Sequence, residues 1–281
     1  MKEFLGRFKF DPEKSLFVGV ERECFLRDRQ IDKIVPKAPD VLESLKKGIP
    51  KIFCTDSWFV PDGYEPAVPG EFGYELSACQ IESRTGPCVI GELEKGLRET
   101  EDRLEMLLYF ADLRAHHVAV GPEDMPLDVY PDPSGRYKEI TKNMPREILL
   151  AACRVIGTHI HIGMPDHETA LRVYNRITER FGELCEMGNG SFGERLAIYR
   201  KMAPDFEPKP YEGWSGYHRT AVEKGFEKDP RRCWTLIRIS VHGTIEFRMF
   251  DATKSIEKIV GWARFCRGIC EEAMAAEEIL A

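Results

Sequence analysis

The chain has 281 residues, of which 43% are hydrophobic, enough to bury a substantial core as one domain spanning 1–281. A formal net charge of −7 argues against a surface built to coat nucleic acid or anionic membrane, although a phosphorylated ligand neutralised by metal ions remains compatible with it. No run approaches the roughly eighteen apolar residues of a membrane span, and "MKEFLGRFKFDPEK" lacks the apolar stretch of a secretory signal, so a cytoplasmic protein is expected. The nine cysteines show no C-x-x-C pair and read as small buried residues in a reducing compartment.

In chain order, "SLFVGVERECFLRD" (15–28) is strand-like, and "APDVLESLKKG" (38–48) has the Pro-Asp start and glycine stop of a short helix. "YELSACQIESRTG" (74–86) reads as a strand ending in a turn. Residues 89–115 carry helical spacing at Leu93, Leu97, Leu104, Leu107 and Leu108. A Pro-rich loop covers 122–133, and "GRYKEITKNMP" is a short helix leading into the strand "VIGTHIHIGM" (155–164). A second long helix spans 166–188 and a third "SFGERLAIYRKMA", followed by an irregular stretch from 204 to 219. "RRCWTLIRISV" and "TIEFRMFDA" form a hairpin around His242-Gly243, and a last helix runs from about Ser255 to the end. Antiparallel strand groups separated by long helices predict an α+β fold, with helices on one face of the sheet and the other face open.

Four of these strands present charge on one face by the two-residue period: Glu21 and Glu23; Gln80, Glu82 and Arg84; His159 and His161; Glu246 and Arg248. Any single pair reads more simply as a solvated face. Together they crowd carboxylates that repel one another, and divalent cations are the natural compensation. Carboxylate oxygens with one imidazole suit Mg²⁺ or Mn²⁺ better than zinc. A neighbouring arginine suits the charge of a transferring phosphoryl group.

"GVERECFLRD" (19–28), "ELSACQIESRTGPC" (75–88), "RYKEI…GTHIHIG" (136–163) and "HGTIEFRMFDA" (242–252) occur in the order seen in glutamate–cysteine ligase family 2, which the chain resembles from about residue 16 to 255. The resemblance implies a curved, largely antiparallel sheet forming a cup, similar to glutamine synthetase, with helices on the convex face and ATP and Mg²⁺ (or Mn²⁺) on the concave one. It implies a ligase that phosphorylates a carboxylate, usually the γ-carboxylate of glutamate, and lets an amine displace the phosphate. Carried over, Glu21, Glu23, Glu82, Glu246 and His159 are metal ligands, and His161 lies on the nucleotide side. Arg248 contacts the phosphoryl group and, with Glu82, is catalytic; Gln80 and Arg84 are substrate-side. Two departures stand out: Arg22 occupies a position often acidic in the family, and the segments before Glu246 and after Asp251 are short, which leaves amine specificity open.

Beyond these motifs, the 204–219 stretch is either a lid that lets Arg200 or Lys201 reach a substrate carboxylate or a phosphate, or an ordinary surface loop. His116-His117 suits a helix C-terminus, and His242 suits a turn. No phosphate-binding G-x-x-x-x-G-K-[ST] loop and no G-x-S-x-G elbow is present. Two other classes stay open: a metal- and nucleotide-binding protein of the same fold without turnover, and a metal-dependent hydrolase. Partners are small molecules; a homo-oligomer is neither required nor excluded.

Overall fold

A computed structural model describes residues 1–46 and 70–276. Its centre is one antiparallel sheet of seven strands: β1 (Val18–Asp28), β2 (Gly70–Tyr74), β3 (Gln80–Thr85), β4 (Leu113–His116), β5 (Gly157–Gly163), β6 (Ile237–Ile239) and β7 (Thr244–Asp251). The order is β2-β3-β1-β5-β7-β6, with β4 paired to the far end of β1. The fold is α+β, as the element pattern predicted.

Alternation decides which face is covered. Val18, Val20, Ile160, Ile162, Ile245 and Phe247 join one buried cluster with Leu93 and Leu97 of the helix Leu93–Phe110 and Ile259, Ala263 and Cys266 of the helix Ile256–Ala275. Phe250 stacks on Trp262 with ring centroids 4.9 Å apart. Residues at the intervening positions floor a cleft of about 1250 Å³ on the opposite face. Among the described residues, no helix is long and apolar enough to cross a membrane.

Arg22, the family departure, points to the helix side as alternation requires. It is buried, its Nη1 lies 2.7 Å from Glu101 Oε2, and its Nη2 donates to the Thr253 carbonyl.

Several element boundaries differ from the expectations. The strand predicted over 74–86 is interrupted, because residues 76–78 turn their backbone toward the 128–130 loop: Ala78 N donates to Asp128 O and Tyr130 N to Leu76 O. The helix predicted to 115 ends at Phe110. Asp112 adopts a left-handed backbone (φ 56°), and Leu113–His116 pairs with β1 instead. His116 is therefore a strand residue, and His117 bonds Glu101 at 3.2 Å rather than capping a helix. The 166–188 helix divides into His167–Ile177 and Phe181–Gly188 around a 3-10 turn. Within 204–219, Gly213–Glu223 starts a helix, and Arg146–Arg154 is a helix the periodicity did not expose. Residues 47–48 of the first predicted helix, and the last residues of the final one, lie outside the described residues.

Candidate active site

Strand pairing brings the charged positions into adjacent rungs. Glu23 sits opposite Glu82, Glu21 opposite both Arg84 and His159, and His161 opposite Glu246. Side chains directly opposite on one face lie within reach of each other. Accordingly, His159 Nδ1 is 3.3 Å from Glu21 Oε2, His159 Nε2 is 3.9 Å from Glu23 Oε1, and His161 Nε2 is 3.5 Å from Glu21 Oε2. Arg84 is ion-paired with Glu82 and lies 3.9 Å from Glu21.

Among the described residues, two sets of three ligand atoms fall within 4.8 Å of one another: Glu21, His159 and Glu246; and Glu23, Glu82 and His159. All five residues expected to hold metal therefore share the cleft floor. The donor set fits hard divalent cations, being carboxylate oxygen with one imidazole. Its protonation pattern points the same way. Burial, reinforced by Glu21 and Glu75, holds the Glu82 carboxyl well above the usual carboxylate range. Burial and the charge of Glu23 push Glu75 up to about 7. Glu21 goes the other way: burial opposes its ionisation, but the imidazoles of His161 and His159 outweigh burial and hold it well below. Without a cation this end of the cleft keeps protons in order to tolerate its own charge. Bound cations would supply that compensation, and Glu21, Glu23, Glu82, His159 and Glu246 are the residues placed to hold them.

The other end of the floor is cationic. Glu246 is fully buried and accepts from Arg238 Nε at 2.6 Å, Arg238 Nη2 at 2.9 Å and Arg248 Nη1 at 2.7 Å. Burial alone would raise its carboxyl, but Arg238 and then Arg248 hold it far below the usual range. Arg248 lies over the Trp234 ring, 5.8 Å from its centroid. His161 Nδ1 is 2.8 Å from Thr244 Oγ1, which orients its ring toward Glu21.

Four expectations fail on geometry. Gln80 shares the face of Glu82 but lies beyond the cleft lining, buried, with its amide donating to the Cys153 carbonyl at 2.8 Å. Arg200 and Lys201 lie on the outer face of the helix Glu194–Met202. Arg200 pairs with Glu207 at 3.3 Å and stacks on Phe206, and neither residue lines the cleft. The 204–219 stretch is no lid: Phe206, Trp214 and Tyr217 pack with Phe4 and Phe8 in the cluster behind the sheet. His242 does occupy the hairpin turn, yet it also lines the cleft.

Two site residues escaped the sequence reading. Arg238 was accessible to it, because Ile237 and Ile239 face the core and alternation sends Arg238 to the cleft. Glu75, which hydrogen-bonds Glu82, lies in the break between β2 and β3, where no periodicity places a side chain.

Comparison with known proteins points to one family. Residues 17–182 match the model of glutamate-cysteine ligase family 2. A protein of Gloeobacter violaceus named "Putative glutamate--cysteine ligase 2" is 26% identical over 273 residues, covering 89% of this chain and 66% of the relative. A "Putative glutamate--cysteine ligase 2-1" of Rubrobacter xylanophilus is 25% identical, covering 93% and 68%. The chain thus spans about two thirds of the length of these relatives. Among solved structures, a bifunctional glutathione synthetase from Pasteurella multocida shares the fold, with a TM-score of 0.54, 12% identity, and coverage of 98% of this chain and 41% of that one. The matched family model spans more than half of the residues and includes three of the four charged strands: the chain belongs to glutamate-cysteine ligase family 2.

Proposed function

We propose that this chain is a single catalytic domain acting as an ATP-dependent carboxylate–amine ligase, with an amino-acid γ-carboxylate such as that of glutamate as the activated group. The observation that carries the reading is one sheet face with two carboxylate–imidazole triads that share His159 and are placed as metal ligands would be, beside an arginine pair at Glu246. Names carried by the relatives point to the same chemistry.

A carboxylate is a poor electrophile, and phosphorylation makes it reactive. Its oxygen attacks the γ-phosphorus of ATP, the bond to ADP breaks, and ADP leaves with that electron pair. A neutral amine then adds to the acyl carbon; phosphate is expelled, and the surplus amine proton passes to solvent. Mg²⁺ or Mn²⁺ would neutralise phosphate charge. Arg248 is held by Glu246 with its guanidinium in the cleft, where it would meet the transferring phosphoryl group. Glu246 holds the guanidinium groups of both Arg238 and Arg248 by hydrogen bonds. Arg84, paired with Glu82, would meet the carboxylate substrate. The absence of a glycine-rich phosphate loop from the sequence agrees with a nucleotide held by cations on a sheet.

The test is activation of an acid in the presence of hydroxylamine, read as hydroxamate together with ADP. Glutamate, ATP and Mg²⁺ or Mn²⁺ should give both. Metal-dependent ATP binding with no hydroxamate and no ADP across a broad panel of acids would leave a nucleotide-binding protein instead. Substrate turnover without ATP would favour a hydrolase.

A further inference from the structure

β7 does not run evenly beside β5. Glu246 pairs with His161 and Phe247 with Ile160, yet Phe250 pairs with Thr158, so Arg248 and Met249 together oppose the single residue His159. This is a β-bulge in a central strand, and a bulge re-aims the side chains it carries while removing regular ladder bonds. Here the two residues it carries are Arg248 and Met249.

The bulge is gripped from behind. Arg195, buried at 2% exposure on the helix Glu194–Met202, donates from Nη2 to the Arg248 carbonyl at 3.2 Å and from Nη1 to the Met249 carbonyl at 3.3 Å. Room for this guanidinium comes from Gly157, where a Cβ would stand 2.3 Å from Nη2. The amide of Gly157 meanwhile donates to Glu23 Oε2 at 2.6 Å. One helical turn after Arg195, on the same face, the Tyr199 hydroxyl donates to the Trp234 carbonyl at 2.9 Å. Trp234 is the ring over which Arg248 lies.

A buried arginine is costly unless its donors are used, and Nε of Arg195 has no hydrogen-bond partner among the described residues. Asp251 Oδ1 is 3.9 Å from Arg195 Nη1, beyond hydrogen-bond distance. Simple burial of an aliphatic side chain would fill the space at lower cost. What only the planar fork supplies is a simultaneous hold on two successive carbonyls of the bulge.

We propose that Arg195 is a positioning residue for Arg248: it fixes the Arg248–Met249 bulge, while Tyr199 of the same helix holds the backbone of Trp234, whose ring Arg248 lies against. Its consequence for turnover rests on the ligase reading; its consequence for the placement of Arg248 does not. Glu21 and Glu246 sit in regular rungs, opposite His159 and His161 respectively, so the metal-dependent nucleotide binding assigned to them should not depend on Arg195.

Arg195→Met keeps the stem and removes the fork. Trp234 emission, isolated by subtracting the matching Trp234→Phe protein, should move to the value seen in Arg248→Met. ATP affinity in the presence of Mn²⁺ should change less than about twofold, while the hydroxamate rate falls about ten- to a hundredfold, the size expected for a displaced catalytic group. Arg195→Lys, which restores a donor but not the fork, should recover part of both signals, and it carries the same measurements if the Met variant does not fold. In a double-mutant cycle, Arg195→Met should lower the rate of Arg248→Met no further, because both losses pass through one group. Multiplying losses, or wild-type Trp234 emission in both Arg195 variants, would overturn the proposal. A wild-type protein that makes no hydroxamate refutes the ligase reading, and Trp234 emission still decides the role of Arg195.

Discussion

Glu101 offers a measurable consequence of a charge buried on the helix side of the sheet. Its carboxylate lies 2.7 Å from Arg22 Nη1 and 3.2 Å from His117 Nε2. Burial would raise its carboxyl, but His117 and Arg22 outweigh burial and hold it at about 2. Against an unfolded value of about 4.3, that shift of roughly 2.3 pH units is worth about 3 kcal/mol at neutral pH. The sign follows from the direction: the folded value is depressed, so the stabilisation is complete above the unfolded value and is lost as pH falls through the folded one. Glu101→Gln should therefore cost about 3 kcal/mol at pH 7, agreeing with the 3–5 kcal/mol typical of removing one partner of a buried pair. In a chain of this length that corresponds to a melting temperature lower by roughly 5 °C. Urea unfolding of both proteins between pH 8 and pH 3 is the assay. The difference should stay nearly level down to about pH 5 and fall to about half by pH 3. A difference below about 1 kcal/mol at pH 7, or one that is the same at pH 3, would refute the assignment of this network to stability.

Other consequences follow from the cleft itself. Glu82→Gln should weaken nucleotide binding only where Mg²⁺ or Mn²⁺ is present, with an unchanged circular dichroism spectrum; equal loss without metal would count against the cation role. Arg248→Lys keeps the charge but loses the guanidinium fork, so the hydroxamate rate should drop far more than ATP affinity, by about tenfold or more. Arg238→Met removes two of the three donors to fully buried Glu246. It should cost about 2 kcal/mol or more in unfolding experiments without metal, and added Mn²⁺ should restore part of it. Gly243→Ala places a side chain at φ 72°, with its Cβ 2.1 Å from the Lys9 carbonyl, and should lower the melting temperature by several degrees.

Much of this protein is legible before any coordinates. Period-two alternation in "GVERECFLRD", "GTHIHIG" and "TIEFRMF" assigns Glu21, Glu23, His159, His161, Glu246 and Arg248 to one face of their strands and Val20, Ile160, Ile162 and Phe247 to the other. The same rule sends Arg22 away from the cleft, and it does go there. Such local information suffices because a strand's side-chain direction is a property of its own backbone.

What the tertiary structure decided is everything that depends on which segments meet. Glu75 joins the carboxylate cluster because the 76–78 backbone pairs with a distant loop and breaks the strand beside it. Gln80 leaves the site because the same face that is open at Glu82 is closed over Gln80 by the Cys153 carbonyl. Arg200 and Lys201 point away because Ile198 and Tyr199 claim the inner side of their helix. The bulge at Arg248–Met249 has no signature in "EFRMFD", and the side chain that holds its two carbonyls, Arg195, lies more than fifty residues earlier. Alternation is read along the chain, whereas closure, capping and re-aiming are made by partners far away in it, and only the folded arrangement supplies those.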